Sequence, residues 1–263
     1  MCGIVAYIGP KPALPIVING LKRLEYRGYD SSGIALIESD GNRGNKLVIK
    51  KKKGKVSDLL DHIGEEAFTS TVAIGHTRWA THGPPNDINA HPHRAELNRI
   101  ALVHNGIIEN YTLIKETLHN RGHALLSDTD SEVLVHLIEE VMTNNGELEL
   151  FGAVRSALNQ VVGAYAIVVI DKDNPTKLIA ARRSSPLVIG LGEDGAYYAA
   201  SDATPIVPYT KNVVYLKDEE IASLELDNGL RIKTISNLKV TPQVQALELE
   251  IESLEKAGYD HFM

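Results

Sequence analysis

The stretch Met1-Cys2-Gly3-Ile4-Val5-Ala6-Tyr7-Ile8-Gly9-Pro10 decides how the chain is read. Residues 3–8 are short, apolar and closed by Gly9-Pro10, so they predict a strand whose N-terminal end presents Cys2, the only cysteine. Removal of the initiator methionine, which a small second residue favours, would make Cys2 the first residue. It would then carry nucleophile and base together, because a free α-amine titrates at about 7.7 to 8.0 and can take the thiol proton directly or through a water. The plainer alternative is a small buried hydrophobe opening a strand.

Working outward, Leu14, Val17, Ile18, Leu21 and Leu24 recur at helical spacing and predict an amphipathic helix over 12–26, ended by Gly28. Residues 27–33 read as a turn carrying Arg27, Asp30 and two serines. Strands follow at 34–37 and 47–51, and a short helix at 56–63. A strand at 72–75 runs into His76-Thr77-Arg78-Trp79-Ala80-Thr81-His82-Gly83-Pro84-Pro85, which holds the only tryptophan. A loop of this composition suits binding, and the alternative is a surface loop that Trp79 anchors to the core. His91-Pro92-His93 offers a histidine pair. No third ligand stands at a recognisable spacing, and the proline opposes a regular strand presenting both rings, so no metal is expected.

A strand at 100–103 ends in His104-Asn105-Gly106. Asn-Gly is a strong turn signal, and an amide beside a glycine N–H is equally a two-donor oxyanion hole, so both readings stand. A helix is expected at 112–121. Thr129 and Glu132 fit a capping box ahead of a helix at 133–142. Asp130 is not needed by that box; it suits the helix dipole or a substrate ammonium. After a helix at 150–162, seven short strands (164–171, 178–181, 187–191, 196–201, 213–216, 221–226 and 230–234), joined by turns such as Asp227-Asn228-Gly229, predict antiparallel sheets. Gly190-x-Gly192-x-x-Gly195 precedes a strand rather than a helix and so fails as a dinucleotide fingerprint. Residues 246–256 read as an acidic helix.

The 263 residues, 43% hydrophobic, can bury a substantial core. One cysteine excludes an internal disulfide framework and suits a reducing compartment, most simply the cytoplasm. No basic, apolar leader and no run of about 18 apolar residues is present, so a soluble chain without a membrane anchor is expected. The formal charge is −7, and the basic run Lys50–Lys53 with Lys55 lacks interleaved aromatics. It reads as a solvated strand end rather than a nucleic-acid site.

Cys2-Gly3-Ile4-Val5, residues 23–31 (RLEYRGYDS), His76 to Gly83, Asn89-Ala90-His91-Pro92, Val103 to Asn110 and Thr129-Asp130-Ser131-Glu132 resemble, in order, the glutaminase domain of the glutamine:fructose-6-phosphate amidotransferases. The resemblance spans roughly residues 2–240 and leaves 241–263 as a linker toward an absent sugar isomerase domain. It implies an α+β fold, a four-layer αββα sandwich of the N-terminal-nucleophile type. It implies that L-glutamine is hydrolysed through a Cys2 thioester without a cofactor, with the oxyanion held by Asn105 and Gly106. Arg78 would take the substrate carboxylate and Asp130 its ammonium, while Trp79, Thr81 and His82 belong to a closing loop. Arg27 and His91 match as supporting residues. The full-length enzymes of this kind are expected to be homo-oligomers. A glutamine-binding module without chemistry and the glutaminase half of another amidotransferase are the alternatives.

Overall fold

A computed structural model describes residues 2–144, 146 and 148–247. Along β1 (Gly3–Ile8) side chains alternate: Val5 and Tyr7 enter one apolar cluster, and Ile4, Ala6 and Ile8 another. Both faces are buried, which is why the sequence shows an unbroken apolar run rather than an alternation with polar residues. The helices are α1 (Ala13–Leu24), α2 (Val56–Ile63), α3 (Tyr111–Asn120), α4 (Asp130–Asn144) and α5 (Leu150–Leu158).

One sheet has eight strands in the order β15 (Gln245–Ala246), β11 (Asn212–Tyr215), β9 (Val188–Leu191), β10 (Tyr197–Ala200), β1, β4 (Val72–Arg78), β2 (Ser31–Ser39), β3 (Asn45–Lys53). The other has seven, in the order β14 (Lys239–Val240), β13 (Gly229–Thr234), β12 (Glu220–Glu225), β8 (Lys177–Arg183), β7 (Gly163–Asp171), β6 (Ile100–Ile108), β5 (His93–Arg94). The strand pairs within both sheets are antiparallel, among them β1 with β4 and β6 with β7.

Three apolar layers bind four structural ones. Ile4, Ala6 and Ile8 meet Val103, Ala166 and Val168 between the sheets. Leu21 and Leu24 of α1 and Leu59 of α2 cover the outer face of the first sheet, and Leu134, Ile138 and Ala153 of α4 and α5 cover that of the second. The αββα sandwich expected from the sequence is therefore the fold. Gly75 shows how tightly α1 sits: a Cβ there would lie 2.5 Å from Val17 Cγ1. Among the described residues no helix is long and apolar enough to cross a membrane.

Three strands run further than their side-chain patterns suggest. Ser31, Ser32 and Gly33, expected in a turn, pair with β3 on one side and β4 on the other. β4 continues through His76, Thr77 and Arg78, so the loop starts only at Trp79. Asn105-Gly106 is not a hairpin turn but lies inside β6, opposite Ala166 and Tyr165. In each case ladder hydrogen bonds hold the backbone extended while the polar side chains leave the apolar pattern for another purpose. The lysine run is no freely solvated end either. Lys51 Nζ donates to the carbonyls of Ile88 and Ala90 at 2.9 and 2.8 Å, and burial lowers its pKa to about 8. The helix expected over 246–256 lies largely outside the described residues.

Candidate active site

The register brings three strand ends to one place. Gly3 pairs with Thr77 and Ser31 with Arg78, so Cys2, Trp79 and Asp30 leave the first sheet together. The second half of β6 closes the opposite wall. Between them lies a cavity of about 630 Å³ lined by all ten residues singled out from the sequence: Cys2, Arg27, Arg78, Trp79, Thr81, His82, His91, Asn105, Gly106 and Asp130.

The Trp79 N–H donates to Cys2 Sγ at 3.2 Å, and the Trp79 carbonyl stands 3.5 Å from the same sulfur. Burial raises the thiol pKa, while the Trp79 N–H and the Arg78 charge act to lower it. The thiol is thus held in place but not ionised by its surroundings, and attack on a carbonyl needs a separate base.

Asn105 faces Cys2 from β6. Its amide orientation follows from its neighbours: His76 Nε2 lies 2.9 Å from Asn105 Oδ1 and 3.1 Å from the His104 carbonyl. Both are acceptors, so His76 carries its proton on Nε2, and the Asn105 NH2 is turned toward the Cys2 carbonyl at 3.0 Å. His76 is 1% exposed, and burial lowers its pKa to about 3, so the ring is neutral. Gly106 follows with φ +135°, where a Cβ would fall 2.0 Å from the Ala164 carbonyl. Only glycine allows this strand to place Asn105 and the next peptide on the cavity wall.

Two charges on the wall lack counterparts among the described residues. Arg78, 4% exposed, donates to the carbonyls of His82, Gly83 and Pro84, and among the described residues it forms no ion pair. Asp130, 5% exposed, accepts from Ile108 N–H at 2.8 Å and from Ser131 Oγ at 3.3 Å, and among the described residues meets no cation in ion-pair range. A buried cation and a buried anion facing one cavity suit a zwitterion, whose carboxylate and ammonium would compensate both. His104 Nδ1 lies 2.8 Å from Ser131 Oγ, which gives a relay His104 to Ser131 to Asp130 that fixes the carboxylate.

The loop beyond Trp79 is pinned at several points. Ala80 N–H donates to Asp30 Oδ2 at 2.7 Å, Asn89 Nδ2 to the Pro84 carbonyl at 3.0 Å, and the His82 ring meets Tyr111 edge-on at 5.4 Å. Trp79 is not an anchor in the core: it is 46% exposed and touches Tyr29 edge-to-face at 5.6 Å. Arg27 donates to the Ser201 carbonyl at 3.1 Å at the rim.

His91 stacks on His76 with centroids 4.2 Å apart. Its Nδ1 accepts the His104 N–H at 3.3 Å, and His93 Nε2 lies 3.0 Å from Thr129 Oγ1, so both histidines serve packing and hydrogen bonding. The sequence reading did not single out His76, His104 or Ser201. His76 and His104 adjoin motifs that drew notice, but nothing in one sequence distinguishes Ser201 from any other strand-end serine.

With the geometry in hand, the molecule falls in the class of N-terminal-nucleophile amidotransferases. It is similar to a solved glutamine phosphoribosylpyrophosphate (PRPP) amidotransferase from B. subtilis complexed with ADP and GMP. The TM-score is 0.75 at 28% identity, over 89% of this chain and 49% of that one. Residues 51–239 match the family described as Glutamine amidotransferase domain, and the chain belongs to that family. All of it aligns with proteins named glutamine--fructose-6-phosphate aminotransferase [isomerizing]: 53% identity in Bacteroides thetaiotaomicron, 52% in Chlorobaculum tepidum and 46% in Thermus thermophilus. The chain spans 42% of the length of these relatives.

Proposed function

We propose that this chain hydrolyses L-glutamine to glutamate and ammonia at Cys2, as the ammonia-supplying half of an enzyme that converts fructose 6-phosphate to glucosamine 6-phosphate. The observation that carries the reading is the cavity itself. It presents a positioned thiol, a donor amide turned to the same side, and a buried arginine and aspartate that form no ion pair among the described residues.

Glutamine enters with its α-carboxylate toward Arg78 and its ammonium toward Asp130. Once Met1 is removed, the Cys2 amine takes the thiol proton as sulfur attacks the side-chain carbonyl carbon. The oxygen gains charge against Asn105 Nδ2 and the Gly106 N–H. The amine returns its proton to nitrogen, the C–N bond breaks, and ammonia leaves a γ-glutamyl thioester. Water then attacks the thioester, passes a proton through the same amine to sulfur and releases glutamate. Trp79, Thr81 and His82 close over the substrate and exclude bulk water. Arg27 and His91 support the walls. No metal or other cofactor enters.

On this reading residues 2–240 form the glutaminase unit, and 241–263 lead toward a sugar isomerase domain of a cytoplasmic homo-oligomer. The test pairs intact-mass analysis with a glutaminase assay. Chain lacking Met1 should release glutamate and be labelled at Cys2 by 6-diazo-5-oxo-norleucine, and chain retaining Met1 should do neither. Turnover in Cys2→Ser, or labelling elsewhere, overturns the proposal. Glutamine binding without hydrolysis in the trimmed protein would favour a sensing module instead.

A further inference from the structure

We propose that Glu96, His123 and His136 form a binding site for a divalent metal ion of the zinc class, outside the glutamine cavity. The three residues lie far apart in sequence: Glu96 just beyond β5, His123 in the segment after α3, and His136 on α4. One ligand atom from each comes within 4.8 Å of the other two.

The two rings meet through their Nδ1 atoms at 3.2 Å. Two imidazole nitrogens bound to one tetrahedral zinc at about 2.0 to 2.1 Å are about 3.3 Å apart, so the rings already stand at the bite of such an ion. The outer partners point the same way. His123 Nε2 lies 2.7 Å from Glu140 Oε2, which fixes the proton on Nε2 and leaves Nδ1 with a lone pair that accepts from His136 Nδ1. On the far side of His136, Nε2 faces Glu132 Oε1 at 3.9 Å. In the metal-free chain the His136 Nδ1 proton fills the space between the rings. An incoming cation moves that proton to Nε2, toward the waiting Glu132, and no proton need be lost. Each histidine then has a carboxylate behind it and the metal in front, the arrangement that orients zinc-binding imidazoles.

Glu96 is exposed and supplies the third ligand, and a water completes four. The carboxylates of Glu96, Glu132 and Glu140, with Glu139 on the same helix, give the locale a field that attracts a dication, offset in part by Arg121 on Glu140 at 2.9 Å. The site opens beside a second cavity of about 480 Å³, lined in part by Glu96, Glu132 and His136.

The test is competition for Zn2+ against a chromophoric chelator, in tag-free protein carrying Cys2→Ser so that the active-site thiol cannot bind the ion. One equivalent of Zn2+ should be withheld from the chelator. Mg2+, which demands oxygen ligands, should not compete. His123→Ala should abolish retention. Glu96→Gln, an exposed and structurally mild change, should weaken it, and Glu140→Gln should weaken it about 10- to 100-fold as an outer-partner loss. Each variant's unfolding curve is recorded alongside. Retention unchanged in both His123→Ala and Glu96→Gln, or no retention by the folded parent, overturns the site.

Discussion

At the scale of single residues, the most instructive is His76, which does not itself line the cavity and yet, from behind the wall, decides which way Asn105 points. An asparagine amide flipped by half a turn would aim its oxygen, not its NH2, at the developing oxyanion. Asn105→Ala should lower kcat about 100- to 1000-fold, the usual cost of one lost oxyanion donor, with KM for glutamine nearly unchanged. His76→Leu should fall in the same direction, again in kcat rather than KM, while His76→Gln, which can still donate to Asn105 Oδ1, should recover part of the loss. A merely structural histidine would not give the decisive result: the double variant His76→Leu/Asn105→Ala should be no slower than Asn105→Ala alone, since both act through one donor. On the proposed reading Arg78 and Asp130 serve binding instead. Asp130→Asn should raise KM for glutamine at least tenfold, measured by initial rates, because it removes the charge that the substrate ammonium would meet.

At the scale of elements, β6 shows where reading a sequence stops. Its apolar half, from Ile100 to Val103, is plain from composition, and the long β-rich region from Gly163 to Thr234 is equally plain from its short apolar runs and turn residues. His104, Asn105 and Gly106 look like the end of a strand because local pattern records side chains only. Their backbone groups find partners on β7, about sixty residues away, and no local rule registers that. Ser31 to Gly33 and His76 to Arg78 hide in strands for the same reason. Of the candidate site, the residues of unusual chemistry stood out, and those acting through neighbours, His76 above all, did not. The histidines of the proposed metal site were hidden by distance along the chain. Gly106 offers the element-scale test. Gly106→Ala forces a side chain into φ +135° and against the Ala164 carbonyl, so it should destabilise by at least about 1 to 3 kcal/mol in urea unfolding and shift the amide proton signals of both β6 and β7.

For the whole molecule, the buried imidazoles between the sheet ends set an acid limit. His76, His91 and His104 are all pushed below their ordinary value of 6.5, first by burial, and His76 to about 3. The folded state therefore holds fewer protons than the unfolded chain below pH 6.5. The stability they contribute is fully present above that value and is lost as pH falls toward their folded values, with a slope of about 1.4 kcal/mol per pH unit for each ring that stays neutral. The urea midpoint should fall only slightly from pH 8 to 7, where Lys51 regains its proton, and decline more steeply from pH 6.5 to 5, before most carboxylates titrate. A level midpoint down to pH 5 would show that these rings accept protons in place.

The strand that carries Cys2 is flanked by β4 on one side and by β10 on the other, with Val5 opposite Gly75 and Ala200. This strand is thus among the last to gain both neighbours, since one of them is made almost two hundred residues later. Until then a fully apolar strand has an open edge, the condition under which nascent chains stick to one another and chaperones bind. On the proposed mechanism the chemistry of the thiol is consequently deferred: a working centre exists only once nearly the entire sandwich has closed around it.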